Sequence, residues 1–364
     1  MKNQRREMVD GAAAIARGAL DAGCNFYAGY PITPASGILA HMLRELPKVG
    51  GIGFQGEDEI SSIGHCIGAA SAGATVFTAT SGPGLSLYSE NIGLAIMMEI
   101  PLVIAISQRL GPSTGAATAS AQGDIQFMRW CTSGGYPVIV LAPTNIPESY
   151  HLTKRAFKLA KRFRNPVFIA TDKDTVMTTE SVPVDEMINA PDWPEIPTEP
   201  VGKPLDPYQI NGTIHHYTGS SHTEEGYITK DPDIIAQFNE RLKNKIESHI
   251  DEISLVKADL QEGADTLIIS YGVSARSMEA VVIQLRSQGE KVSALTVYSL
   301  WPIPEKKIQD CLRGIKRIII PEMNHGQYRH EIERLVNRDI ELIGVNRVDT
   351  ILITPEEIME IYHG

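Results

Sequence analysis

Along residues 5–175 the apolar positions switch between a helical period and short continuous apolar runs, the signatures of amphipathic helices and buried strands. Asp10–Ala22, rich in alanine and closed by Gly23, predicts a helix. Asn25–Ala28 predicts a short strand that runs into Gly29-Tyr30-Pro31-Ile32-Thr33-Pro34-Ala35-Ser36. Gly56–Ala72 predicts a helix of small residues, Thr75–Thr80 a strand, Leu85–Met98 a helix and Leu102–Ser107 a strand. Val138–Ala142 reads as a strand, Pro147–Arg164 as an amphipathic helix rich in Lys and Arg, and Val167–Thr171 as a strand. Such alternation predicts a parallel sheet with helices on both faces.

The pattern changes after Asp174. Residues 182–233 carry many Pro, Asp, Gly and His residues with little periodicity and read as an extended linker. Ile234–Leu260 predicts a charged helix, a brace between domains. From Thr266 the alternation resumes: strands in TLIISYG, KVSALTV, RIIIPE and IELIGVN, with helices over Ser274–Gln288, near Glu305–Cys311 and from Arg329. The expected fold class is therefore α/β, with two parallel-sheet domains. The expected division is 1–178, a linker with the charged helix at 179–262, and 263–364. No internal repeat is visible.

Composition narrows the classes. At roughly 150 residues per domain, a chain of 364 residues suits two domains. Thirty-three basic against 44 acidic residues leave a net charge of −11, which disfavours both nucleic-acid coating and docking on anionic membranes. Cys24, Cys66, Cys131 and Cys311 form no C-x-x-C pair, so they predict buried hydrophobes in a reducing compartment and no zinc or iron–sulfur motif. The N-terminal stretch is interrupted by Glu7, Asp10 and Arg17 and does not read as a signal peptide. The longest apolar stretch, Ile92–Ile106, contains Glu99 and Pro101 and reads as a buried helix and strand, not a membrane span. A cytoplasmic protein is expected.

Ligands of open parallel sheets sit at the carboxyl ends of the strands, and four segments fall there. In the first, Pro31 and Pro34 stiffen the loop that holds Thr33, although Thr33 or Ser36 could instead cap the next helix. In the second, Gly56-Glu57-Asp58-Glu59, the acidic Glu57 and Asp58 suit a solvated helix start. Glu59 differs: at helical spacing it lines up with Ile63, Cys66 and Ala70, so its carboxyl needs a partner or a raised pKa and is suited to exchanging a proton with a buried nitrogen. The third, Thr80-Ser81-Gly82-Pro83-Gly84, lets a ligand approach backbone at a helix start but is no G-x-G-x-x-G fingerprint, since position 87 is Leu. The fourth, Ser107-Gln108-Arg109-Leu110-Gly111-Pro112-Ser113-Thr114-Gly115, offers Arg109 as a two-pronged carboxylate clamp or as a surface arginine. His215, His216 and His222 read as loop histidines, and Asn324–Gln327 as a helix cap or a contact with a partner subunit.

GYPITPAS, GEDEISSIG with GAASAGA, TATSGPGLSL and QRLGPSTG, in that order, resemble the α subunit of 2-oxoacid:ferredoxin oxidoreductases of the 2-oxoglutarate type. LWPIP (Leu300–Pro304) and PEMNHGQYRHEI (Pro321–Ile332) extend the resemblance over nearly the whole chain. It implies a pyrimidine-binding thiamine diphosphate domain followed by a transketolase C-terminal-like domain. It implies that Glu59 bonds N1′ of the cofactor's aminopyrimidine and favours the 4′-imino tautomer, which takes the C2 proton before the keto carbon is attacked and CO2 leaves. Thr33 and Arg109 would hold the substrate 1-carboxylate, with Tyr30, Pro31, Ser81 and Gly82 beside the cofactor. The chain has no G-D-G…N run and no cysteine cluster, so Mg2+ and a [4Fe-4S] centre are expected on a β subunit or on further γ and δ subunits. This chain alone is then half of an active site. Coenzyme A and ferredoxin are the expected co-substrates.

One departure bears on specificity. Relatives of the 2-oxoglutarate type usually carry Lys or Arg shortly after G-P-S-T-G, whereas Ala116-Ala117-Thr118-Ala119-Ser120 has none, which leaves a branched or aromatic 2-oxoacid open. Two other readings stand beside the first. A split non-oxidative decarboxylase of sulfopyruvate type would lack the brown colour of an iron–sulfur complex. An electron-transfer-flavoprotein-like subunit would bind flavin or adenine nucleotide unaided.

Overall fold

The computed structural model describes residues 5–202, 216 and 218–364. Fourteen strands occur among the described residues: β1 (Arg6–Asp10), β2 (Phe26–Gly29), β3 (Ile52–Gln55), β4 (Val76–Thr80), β5 (Leu102–Gln108), β6 (Ile139–Leu141), β7 (Pro166–Asp172), β8 (Thr179–Pro183), β9 (Val256–Asp259), β10 (Thr266–Ser270), β11 (Val292–Val297), β12 (Ser299–Trp301), β13 (Arg317–Glu322) and β14 (Glu341–Asn346). They form a seven-stranded sheet in the order β12-β6-β7-β5-β4-β2-β3, a five-stranded sheet in the order β14-β13-β10-β11-β9, and a β1–β8 ribbon. Within the first sheet β2 to β7 pair in parallel. Every residue of β5 and β7 is buried, as expected for strands covered on both faces. The expected α/β class with two largely parallel sheets is what the molecule shows.

Strand order reverses at β2, one strand in from the β3 edge of the first sheet. From β2 the chain crosses to β3 on one side, then to β4 and β5 on the other. The loops after β2 and β4 therefore part at a topological switch point, the usual place for a ligand in such sheets. The loop after β5 lies next to them.

Two sequence expectations change. The charged helix does not run from Ile234 to Leu260. It spans Pro232–Glu247, is followed by a single turn at Ile250–Ile253, and Val256–Asp259 is strand β9, antiparallel to β11. Tertiary pairing overrides helical composition here: Leu255 donates its N–H to Ser299 Oγ (2.8 Å) and its carbonyl accepts from Tyr298 and Ser299. The second correction is β12. It follows β11 directly yet pairs antiparallel with β6, so the second half of the chain completes the edge of the first sheet. No helix among the described residues is long and apolar enough to cross a membrane.

Candidate active site

Glu59 opens the Glu59–Ser71 helix. Asp58 is its N-cap and forms a capping box with Ser61, while Glu57 and Asp58 stay exposed. This leaves Glu59 free of any capping duty. Its side chain lies on the packed face with Ile63, Cys66 and Ala70, all buried, and Glu59 itself is 7% exposed. The carboxylate accepts no hydrogen bond among the described residues. A carboxylate so placed is costly unless a partner arrives from outside the chain.

The facing wall is the start of the Gly82–Met97 helix. A Cβ at Gly84 would stand 1.9 Å from Thr80 Oγ1 and 2.9 Å from Glu59 Cγ, so only glycine fits between strand β4 and the carboxylate. This helix has no side-chain cap and no acidic residue in its first turn. Thr80 Oγ1 and Ser81 Oγ are shut off from solvent and unpartnered, as is Ser107 Oγ at the end of β5. Buried hydroxyls without partners, beside an unused helix start, fit a polar ligand seated across these strand ends.

Arg109 is 6% exposed and reaches across the switch point. Its guanidinium donates to the Thr33 carbonyl (2.5 Å) and to that of Thr114 (3.3 Å), while Nε is buried without a partner. The structure thus joins Arg109 to the Thr33 loop and leaves one donor edge unspent. Thr33 and Ser36 do not cap the Ser36–Glu45 helix, whose N-cap is Ala35 without a side-chain bond. Tyr30 is half-buried, Pro31 is exposed, and Ser81 and Gly82 are buried. Ser113, in the Gly-Pro-Ser-Thr-Gly turn, has a φ of 54°, strain of the kind that collects at ligand sites.

A cleft of about 360 Å³ opens beside these residues, lined among others by Gly82, Arg109, Asp124, Phe127, Asn324 and His325. Both halves of the chain contribute to it. Asn324 donates to the Gln122 carbonyl and to Tyr271 Oη, and its Oδ1 accepts from the N–H groups of Gly326 and Gln327; it ties a turn to the first sheet and caps no helix. A roomier hollow of about 430 Å³ lies elsewhere, lined by Thr75, Pro101, Lys154 and Lys158 at the amino ends of the same strands. That is the wrong end of a parallel sheet for its principal ligand, and Lys158 is already paired with Glu195 there.

Asp124 was not among the residues singled out from the sequence. It precedes the short Ile125–Arg129 helix but does not cap it. Its carboxyl instead packs against Gly82, where a Cβ would sit 2.7 Å from Oδ1. Burial pushes its pKa up to about 6, against the opposing pull of Arg109. The signal that could have found it is an acidic residue at a helix start inside the loop that follows Arg109.

The stretch Ala116–Ser120 folds back on this loop. Ala116 donates to the Leu110 carbonyl, Leu110 to the Ala119 carbonyl, and Ser120 Oγ bonds the Asp174 carboxylate. His222 is buried against Phe238, and its Nδ1 contacts the Ser220 carbonyl. His216 packs on Tyr227, and His215 lies outside the described residues.

Comparison with known proteins agrees in family. The family model described as pyruvate flavodoxin/ferredoxin oxidoreductase, thiamine diphosphate-binding, matches residues 17–240, and that of pyruvate:ferredoxin oxidoreductase core domain II matches residues 264–358. The chain is 39% identical to the 2-oxoglutarate synthase subunit KorA of Methanocaldococcus jannaschii, covering 97% of this chain and 98% of that protein. It is 35% identical to the ketoisovalerate oxidoreductase subunit VorB of Methanothermobacter thermautotrophicus, covering 97% and 96%. A solved 2-oxoglutarate:ferredoxin oxidoreductase from Magnetococcus marinus, with 2-oxoglutarate, coenzyme A and succinyl-CoA bound, superposes with a TM-score of 0.91 at 30% identity. The match covers all of this chain and 66% of that longer one. A split-gene transketolase, at 13% identity and a TM-score of 0.53, shares the fold over 96% of this chain and 91% of that one.

Proposed function

The chain belongs to the pyruvate flavodoxin/ferredoxin oxidoreductase family, and from that premise we propose that it is the α subunit of a 2-oxoglutarate:ferredoxin oxidoreductase. The reaction is decarboxylation of 2-oxoglutarate with coenzyme A to succinyl-CoA and CO2, two electrons passing to ferredoxin. The 2-oxoglutarate assignment draws on relatives from four organisms named 2-oxoglutarate synthase subunit, 36–40% identical over nearly their whole lengths. That outweighs the missing cation at Ala116–Ser120 as a guide to the substrate.

Thiamine diphosphate, when bound, supplies the carbon acid that adds to the keto carbon and the electron sink for decarboxylation. The protein's own part falls to a few residues. Glu59 holds and moves a proton at the aminopyrimidine N1′. Arg109, with the Thr33 loop it grips, holds the substrate 1-carboxylate by its unspent donor edge. Tyr30, Pro31, Ser81 and Gly82 flank the cofactor, and the unpartnered hydroxyls of Thr80, Ser81 and Ser107 offer it hydrogen bonds. Mg2+ and the [4Fe-4S] cluster belong to the β subunit or to γ and δ subunits. The complex works in the cytoplasm. Residues 1–178 are the pyrimidine-binding domain, 179–262 the linker and 263–364 the transketolase C-terminal-like domain, which lends β12 to the first.

The observation that carries this reading is the Glu59 carboxylate, buried on an apolar stripe with no partner among the described residues. In the complex reconstituted with its β subunit, Glu59→Gln is expected to slow exchange of the cofactor C2 proton at least about a hundredfold, the usual scale for losing a positioned acid–base group. Exchange at the wild-type rate would overturn the assignment.

A further inference from the structure

Asp124 is an acidic residue in a place where an anionic substrate must come. Asp is a favoured N-cap, yet Asp124 stands at the start of the Ile125–Arg129 helix and makes no cap bond. Its main chain is fixed instead: the Asp124 N–H donates to Gln108 Oε1 (3.1 Å), and the preceding Gln122 is held by Tyr271, Ser274 and Met323 of the second sheet's loops. The side chain is thereby turned into the cleft. A Cβ at Gly82 would stand 2.7 Å from Oδ1 and 2.8 Å from Oδ2, and Oδ2 is closed off from solvent with no hydrogen-bond partner among the described residues.

Arg109 lines the same cleft and spends two of its donors on backbone carbonyls. It is not in ion-pair contact with Asp124. The cleft therefore presents one fixed cation and one orphaned carboxyl, side by side and unjoined. A 2-oxoacid that brings its 1-carboxylate to Arg109 places a negative charge next to Asp124 in a poorly solvated space. Two carboxylates so placed cannot both stay ionised cheaply, and the cheaper resolution is a proton on one of them.

We propose that Asp124 takes up a proton as the 2-oxoacid binds, and that the resulting carboxylic acid donates a hydrogen bond to the bound substrate. Asp124 is thus a positioning residue that makes substrate affinity depend on pH. The inference rests on the 2-oxoacid reading of the cleft. Its setting agrees with it: burial raises the Asp124 carboxyl to about 6, so protonation near neutral pH costs little. Charged and titratable groups sit on the elements around Asp124, and of these Arg109 is the one whose charge acts on its carboxyl. Arg109 is the fixed cation at the end of β5, Arg129 lies on Asp124's own short helix, and Glu59 lies behind Gly84. The start of the Gly82–Met97 helix contributes no charge. His325, on the second sheet's loop, is the other titratable group lining the cleft.

The test is the pH profile of KM for 2-oxoglutarate in the reconstituted αβ complex, read by viologen reduction. In the wild type KM is expected to rise with pH above about 6, approaching tenfold per unit, the limit for one linked proton. Asp124→Asn, which keeps a donor but cannot titrate, flattens that slope and brings KM at pH 8 below the wild-type value. Asp124→Glu restores the slope, and His325→Gln leaves it in place. Calorimetric titration with 2-hydroxyglutarate, an analogue that cannot be decarboxylated, in buffers of different ionisation enthalpy should show about one proton taken up at pH 8 by the wild type and none by Asp124→Asn. A wild-type slope retained in Asp124→Asn, or a slope carried by kcat alone, overturns the proposal. Absence of any 2-oxoacid turnover in the wild-type complex would instead overturn the function on which it rests.

Discussion

Gly84 shows how narrowly the site is built at the residue scale. Its Cα sits between Thr80 Oγ1 and the Glu59 side chain, with no room for a methyl group. Gly84→Ala is expected to displace Glu59 and to weaken thiamine diphosphate binding by the αβ complex at least about tenfold, the equivalent of 1.4 kcal/mol. Removing the Thr80 hydroxyl as well, in Thr80→Ala/Gly84→Ala, relieves the closer clash and should recover thermal stability. It should not recover cofactor affinity, because the new methyl still meets Glu59 Cγ. Equal recovery of both would mean that Glu59 is not the contact that matters. Glu59 could be read from the sequence, because helical spacing puts it on a stripe with Ile63, Cys66 and Ala70, all buried. Asp124 could not. Its place depends on Gly82, Gln108 and Gln122, which come together only through the switch point and the second sheet.

At the scale of elements, the Pro232–Glu247 helix is fastened to the first sheet by buried charge. Glu99, in the turn before β5, is 4% exposed, has a φ of 51°, and pairs with Arg241 (2.6 Å) and Lys245 (3.1 Å) of that helix. Lys245 also donates to the Arg164 carbonyl, and Arg164 Nε to that of Glu99. Burial alone would raise the Glu99 carboxyl, but the two cations outweigh it and the net shift is downward. Removing one partner leaves a buried charge under-compensated, so Lys245→Met should cost about 3 kcal/mol in chemical denaturation. A folded-state pKa below the ordinary 4.5 adds stability above pH 4.5 that is lost as pH falls further. Melting temperatures of the wild type and Glu99→Gln should therefore converge below pH 4.5; a constant gap down to pH 3 would rule this out. Neither the ion pair nor the helix's end was legible. Ile234–Leu260 is helical in composition throughout, and only the pairing of β9 with β11 and the bond from Leu255 to Ser299 show where the helix stops.

For the whole molecule, the question is whether the two sheets are separable. The strand and helix alternation on either side of residues 182–233 invites a view of two independent domains. The contacts say otherwise. β12 leaves the second sheet to pair with β6, and Trp301 donates its indole N–H to the Ile125 carbonyl (3.1 Å). Asp172, fully buried at the end of β7, accepts from Thr175 N–H in its own half and Val273 N–H in the other (2.8 and 3.0 Å). Gln122 spends its whole side-chain amide on Tyr271, Ser274 and Met323. Buried polar groups that draw partners from across a junction make opening that junction expensive, because those partners are lost when the halves part. Residues 1–262 alone would leave β6 an open edge, and Asp172 and Gln122 without these cross-junction partners. The full chain is therefore expected to melt in a single calorimetric transition. The 1–262 fragment should show neither a cooperative transition nor native amide protection in β5 and β7. Gln122→Ala, which strands its partners at Tyr271, Ser274 and Met323 in the second half, should lower that single transition without splitting it. Two resolved transitions in the intact chain would mean that the halves fold independently and that the cleft between them owes its shape to the partner subunit.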